Sequence, residues 1–194
     1  MRKLCSHKKQ SIYMKFINII GTTGSGKSTL ARKLAQKRKL HYIELDNLLW
    51  LDHWQESSNE EFFCKLKSSI NAASEGWVID NLYTRSIDMI LTQADTVIWL
   101  DYAFHINFFR LTKRTLWRAI SRKTLWENSN NKESWKIMFS KKSIFLWMLQ
   151  KYPQNKRRYL AMMQNPDYQH IQFIRLTSPQ QTKEFLNRVG LCNG

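Results

Sequence analysis

The chain has 194 residues, 43% of them hydrophobic, and a formal net charge of +16 at pH 7. That length suits one domain whose core buries about 70% of the surface an unfolded chain exposes, without help from disulfides or metal. No apolar run approaches the roughly 18 residues that span a bilayer, and the opening segment lacks the apolar stretch of a signal peptide. Cys5, Cys64 and Cys192 are widely separated and odd in number, unlike a secreted disulfide framework. The expectation is a soluble, cytoplasmic protein with no membrane partner.

Residues 1–13 are polar and basic and show no pattern of their own. They are expected to be a disordered extension ahead of a single domain at 14–194, with Met14 a candidate start of the functional chain. Lys15 to Ile20, KFINII, reads as a β-strand, and Ser28 to Arg38 as a helix with Leu30, Leu34 and Ala35 on its apolar side. Tyr42 to Leu45 reads as a second strand and Glu60 to Ala73 as an amphipathic helix carrying Phe62, Phe63, Leu66 and Ile70. Gly76 breaks the chain before a third strand, Trp77 to Asp80. Thr96 to Leu100, TVIWL, has the continuous apolar character of a parallel strand buried on both faces. Ile171 to Leu176 supplies a fifth, and Pro179 to Val189 a closing helix with proline in its first turn.

Strands alternating with helices imply an α/β, doubly wound parallel sheet. The stretch from Ala103 to Tyr168 is helical in pattern, tryptophan-rich and basic, and reads as a helical lid or insertion within the same domain. Between Asp101 and Asn165 there are fourteen Lys or Arg against Asp101, Glu127 and Glu133, a local balance of +11. Such a field attracts nucleotides, nucleic acids and acidic membrane surfaces alike. A solvated basic face is the plain alternative.

The segment Gly21-Thr22-Thr23-Gly24-Ser25-Gly26-Lys27-Ser28, followed by Thr29, satisfies G-x-x-x-x-G-K-[ST] between a strand and a helix. Glycines let the backbone curl so that successive N–H groups face phosphate oxygens, and the helix that follows turns its positive end to the same anion. Lys27 is placed to bridge the β and γ phosphates of ATP, and the Ser28 hydroxyl to ligate Mg2+. The motif holds three of the six glycines in the chain, which argues against a chance turn.

Ligands of doubly wound sheets bind at the carboxyl ends of the strands, where Asp46, Asp80 and Asp101 fall. Asp80 is the first candidate for a second Mg2+ ligand, since the ion prefers six oxygens. Asp46 is a candidate to take the proton of an acceptor hydroxyl or to orient it. An aspartate after a strand can equally cap the next helix.

Arg110, Arg114, Arg118 and Arg122 recur every four residues and form one stripe on a helix. Arginine forks match phosphate oxygens, so the stripe reads as a cover for a bound nucleotide, a solvated face or a nucleic-acid contact. Trp50 and Trp54 follow Asp46 where an acceptor would enter, and their rings could stack on it. Trp117, Trp126, Trp135 and Trp147 read as core.

Together, IIGTTGSGKSTLARKLA, HYIELDNLLW, WVIDNLYTR, ADTVIWLD and RLTSPQQTKEFL resemble the adenylate-kinase-like P-loop kinases, and among them the bacterial DNA topology modulation group. The resemblance runs from about Met14 to Leu186. It implies a five-stranded sheet ordered 2-3-1-4-5 and an adenine site between the lid and the turn near Ser178 and Pro179. It also implies an acceptor-phosphate role for Arg85 and a lid role for Arg110 and Arg114. That group carries Gly-Asn after the third-strand aspartate, where this chain has Asn81 and Leu82.

The expected activity is an ATP- and Mg2+-dependent phosphotransferase acting on a small acceptor. The expected catalytic residues are Lys27, Asp46, Arg85, Arg110 and Arg114, with nucleotide held by Gly21 through Thr29 and Arg110, and metal by Ser28 and Asp80. Two alternatives stay open: a DNA-associated ATPase, with nucleic acid as a secondary partner, and a nucleotide-binding regulatory module without turnover.

Overall fold

The computed structural model describes residues 14–121 and 144–189. The expectations for the extension at 1–13 and for Arg122, Trp126 and Trp135 therefore lie outside the described residues, as does the side chain of Trp147. Five strands form one parallel sheet: β1 (Phe16–Gly21), β2 (His41–Glu44), β3 (Trp77–Asp80), β4 (Thr96–Leu100) and β5 (Gln172–Leu176). Their order is β2-β3-β1-β4-β5, as the resemblance implied. The α-helices among the described residues are α1 (Lys27–Arg38), α2 (Leu45–Leu49), α3 (Asn59–Ala72), α4 (Ile87–Leu91), α5 (Phe104–Ser121), α6 (Ile144–Gln164) and α7 (Pro179–Val189).

Every residue of β3 and β4 is buried, as expected of strands covered on both faces. One face of the sheet packs Ile17, Ile19, Val78 and Ile98 against Leu30 and Leu34 of α1 and Phe185 and Val189 of α7. The other packs Ile20, Ile79, Val97 and Trp99 against Phe62, Leu66 and Ile70 of α3, Ile90 and Leu91 of α4, and Tyr159 and Met162 of α6. The side chains alternate between these layers along each strand. Asp95 fixes the start of the sheet, accepting the Lys15 and Phe16 amides at 2.8 and 2.9 Å.

One local feature differs from expectation. The second strand ends at Glu44, and Leu45 and Asp46 belong to the first turn of α2. Leu45 and Leu49, four apart on that short helix, are both buried, which favours the helical spacing over a continued strand. Between α2 and α3 the chain makes a tight excursion closed by a Trp50–Glu56 antiparallel bridge and by the Ser57 amide on Leu49 O at 2.8 Å. The tip carries His53 and Trp54, both at positive φ (57° and 59°).

Candidate active site

The carboxyl ends of β1, β3 and β2 bring the motif residues together. The loop after β1 turns on a Ser25 amide to Thr22 O hydrogen bond of 3.1 Å. Gly24 and Gly26 adopt φ of 81° and 95°, a region that side chains disfavour. A Cβ on Gly24 would collide with the backbone oxygen of Asn107 in α5, and one on Gly26 would stand 3.2 Å from Arg110 Nη2. Glycine is thus required both by backbone conformation and by the close approach of α5. Gly26 also caps α1 without a side-chain hydrogen bond, so the amides of the first helical turn are left to an anion. Thr29 lies in that turn and is exposed.

Lys27 and the carboxylates share one electrostatic environment. Desolvation pushes the Lys27 ammonium below its ordinary pKa and Arg114 pushes it further, while Asp46 and Asp80 oppose the shift. Asp80 is buried, and that burial raises its carboxyl to about 6 from an ordinary 3.8. The neighbouring charges of Asp46 and Glu44 add to the rise, while a hydrogen bond with the Ser28 side chain and the Lys27 charge work against it. Tyr42 Oη donates to Asp80 Oδ2 at 3.1 Å. A buried carboxylate held beside the loop serine is a pair of hard oxygen donors, which suits Mg2+. Among the described residues no group of three or more His, Cys, Asp or Glu could hold a metal ion, and Mg2+ usually draws its remaining ligands from phosphate and water.

Asp46 receives both Asn81 Nδ2, at 3.0 Å, and the Tyr83 hydroxyl on the same oxygen, Oδ1. Trp50 hydrogen-bonds to the Tyr83 side chain, so the excursion after α2 is tied to the carboxylate through one tyrosine. Asn81 sits at φ 74°, the left-handed conformation in which the resembling group has glycine. Asparagine is the side chain that best tolerates it. The departure at this position therefore leaves the turn intact. The Asn18 side chain holds it from beneath, donating to Ile79 O at 3.2 Å and Asn81 O at 2.8 Å.

The arginines divide by position. Arg110 Nη1 donates to Ser25 O at 3.2 Å, and Arg114 is close enough to Lys27 to affect its ionisation, so α5 lays both beside the loop. Arg85 donates to Asn59 Oδ1 at 2.6 Å and lies 3.4 Å from Glu56 Oε2, with its guanidinium 4.6 Å from the centre of the Phe62 ring. It stands beside the excursion, over the Phe62 ring, whose centre lies 6.0 Å from that of Tyr83. Asp101, the third strand-end carboxylate, is committed elsewhere: Arg175 reaches its Oδ2 at 2.5 Å and Lys156 at 4.0 Å. It joins β4, β5 and α6, and neither caps a helix nor joins the Ser28–Asp80 pair.

Residue types alone did not single out Tyr83, Tyr42 or Arg158. Arg158 of α6 donates to Leu82 O at 3.3 Å, bringing a further cation to the end of β3. Tyr83 had a faint signal, standing three residues after Asp80 in DNLY. Arg158 had none to separate it from the other basic residues of its segment.

The family profile described as shikimate kinase matches residues 23–190. No curated protein sequence matches the chain. Among solved structures, a sugar kinase from Janibacter sp. HTCC2649 is 16% identical, with 91% of this chain and 92% of that one covered and a TM-score of 0.49. A gluconokinase from Sinorhizobium meliloti 1021 is 13% identical, with 92% and 90% covered and a TM-score of 0.49. A shikimate kinase from Bacteroides thetaiotaomicron is 14% identical, with 91% and 97% covered and a TM-score of 0.48.

Proposed function

This chain belongs to the shikimate kinase family, and from that premise we propose that it moves the terminal phosphoryl group of ATP to a hydroxyl of a small acceptor bound beside Asp46. It is a P-loop kinase, and the family implies ATP as donor. The observation that carries the acceptor assignment is the convergence of Lys27, Asp80 and Asp46 in one electrostatic neighbourhood. The Asp46 carboxylate is held there by Asn81 and Tyr83 through a single oxygen.

In this reading the loop amides and Lys27 hold the nucleotide phosphates, and Ser28 with Asp80 holds Mg2+, which supplies charge neutralisation at the phosphate oxygens. Asn81 and Tyr83 engage Asp46 Oδ1, and the acceptor hydroxyl would meet the carboxylate at Oδ2. The acceptor oxygen bonds the terminal phosphorus while the bond from that phosphorus to the β-phosphate oxygen breaks, leaving ADP. Asp46 orients the hydroxyl and receives its proton. Arg110 and Arg114, carried by α5, offset the negative charge over the transferring group. Arg85 and Arg158 stand at the acceptor side and suit an acceptor with an anionic substituent. The Trp50–Trp54 pair, edge to face at 5.9 Å, forms an aromatic wall beside Tyr83. Shikimate, named in the family description, is the first acceptor to try.

The test is release of ADP from Mg-ATP with shikimate, gluconate, nucleosides and nucleoside monophosphates, with a duplex DNA arm. One small compound should stimulate release and carry the phosphate afterwards. Lys27→Ala should lower turnover about a thousandfold, and Asp46→Asn about a hundredfold or more with ATP binding retained. Stimulation by DNA alone would replace this reading with a DNA-associated ATPase, the narrower likeness seen in the sequence. ATP binding without turnover of any acceptor would favour a regulatory module.

A further inference from the structure

The tryptophans take places that residue type did not assign. Trp117, expected in the core, is 57% exposed on α5. Trp50 is half-buried and works through its polar edge. An indole N–H can only donate, so in its hydrogen bond with Tyr83 the phenol oxygen accepts. The same hydroxyl gives its one proton to Asp46 Oδ1. Indole, phenol and carboxylate form a hydrogen-bonded chain with one direction.

Local structure explains why the chain closes. Asp46 and Trp50 are four residues apart, and the Trp50 amide donates to Asp46 O at 3.0 Å, so their side chains leave the same side of one helical turn. They meet Tyr83 from there as the two ends of a clamp. Trp50 is itself held. Its backbone bridges Glu56, and the Ser57 amide and hydroxyl return to Leu49 O and Leu48 O at 2.8 and 3.3 Å. The Tyr83 ring is set edge to face against Phe62, which is fully buried, with ring centres 6.0 Å apart. What remains to be fixed is the torsion of the Tyr83 hydroxyl, and the Trp50 N–H fixes it.

The chain matters because of the charge beside it. Asp46 lies near enough to the Lys27 ammonium to affect its ionisation. A carboxylate free to turn would pair with that cation, and Lys27 would then be lost to the phosphates and Asp46 to the acceptor. Neutral donors from Asn81 and Tyr83 hold Oδ1 against that pull, and a hydroxyl whose oxygen already accepts a hydrogen bond donates more strongly. We propose that Trp50 is a positioning residue for the acceptor base: acting through the Tyr83 hydroxyl alone, its N–H keeps Asp46 turned so that Oδ2 meets the acceptor. This rests on the reading of Asp46 as the group that receives the acceptor proton.

Trp50→Phe keeps an aromatic ring beside Trp54 and removes the donor. With Mg-ATP and shikimate, or the compound of the panel that stimulates ADP release, it should lower kcat about tenfold and leave the KM for ATP within about twofold. Tyr83→Phe should lower kcat at least as far. The double variant should fall no further than Tyr83→Phe alone, because Trp50 has no route to Asp46 once the hydroxyl is gone. β-(3-Benzothienyl)alanine in place of Trp50 keeps the shape of indole without its N–H. It should reproduce the Trp50→Phe loss, which separates the missing donor from missing packing. An arm without acceptor follows the Asp46 carboxyl by carbon NMR in protein labelled at aspartate side chains, the signal being assigned by its loss in Asp46→Asn. Trp50→Phe should move that signal in the same direction as Tyr83→Phe. A wild-type kcat in Trp50→Phe, losses that multiply in the double variant, or an Asp46 signal that only Tyr83→Phe moves would each overturn the proposal. Wild-type protein that turns over no acceptor, with the signal moved by both variants, would remove the acceptor reading and leave Trp50 as the residue that sets the Asp46 carboxylate.

Discussion

Asn81 carries two demands at one position: a backbone with φ 74° and an amide that reaches Asp46. Glycine meets the first only, and a branched or bulky residue meets neither. Asn81→Gly should therefore change stability by less than about 1 kcal/mol in a denaturant titration yet lower acceptor turnover, because Asp46 loses a partner. Asn81→Leu should cost about 2–3 kcal/mol, combining left-handed strain with the lost hydrogen bond. Equal stability of the two variants would refute the account. Asp80 gives a pH signature. In metal-free protein the folded chain keeps its proton up to about pH 6, whereas the ordinary value is 3.8. Between these values the folded state binds more protons, so stability from this group is complete at low pH and falls as pH rises through the window. The wild-type minus Asp80→Asn difference in unfolding free energy should thus decline by about 2–3 kcal/mol from pH 4 to pH 7. A flat difference would show that Asp80 titrates as an ordinary carboxylate. At this scale Lys27, Ser28, Asp46 and Asp80 were legible because a loop motif or a strand end fixes their place. Tyr83 and Arg158 were not, because each acts through a partner 37 or 76 residues away. The departure at Asn81 was visible as a residue change, but only the dihedral angle shows that it preserves the turn.

Among the elements, the amphipathic helices α3 and α7 and the short apolar strands β3 and β4 were readable, and the short helix α2 was not. The α3 and α7 patterns repeat often enough for periodicity to act as a signal, and the strands show as short apolar runs between breakers. Helix α2 has five residues, too few for a period to declare itself, and its first residue reads as the end of the strand before it. Helix α6 conceals a different tension. Pro153 lies in its interior, exposed, where proline cannot donate to the Leu149 carbonyl. Pro153→Ala should raise stability by about 2 kcal/mol, seen as a melting temperature several degrees higher. A drop would mean that the proline sets the path of the helix toward Arg158 and Tyr159.

For the whole molecule, alternation of strands and helices was enough to predict a parallel sheet but could not order it. The order came from the resemblance, and the structure agrees. Nucleotide should act on the entire domain, since the loop lies between central strands. Mg-ATP at about a hundred times its dissociation constant should add about 2.7 kcal/mol and shift the melt by roughly 5–10 °C, and Lys27→Ala should lose most of that shift. The same placement has a consequence during synthesis. Of the five described strands β1 is made first, yet its neighbours are β3 and β4, with Gly21 registered against Leu100. A ribosome adding about 5–20 residues per second must extend the chain by about eighty more before the first strand has both partners, leaving the phosphate loop without a platform for several seconds. A nascent chain stopped before β4 should therefore fail to retain on immobilised ATP, although it already contains every residue of the motif.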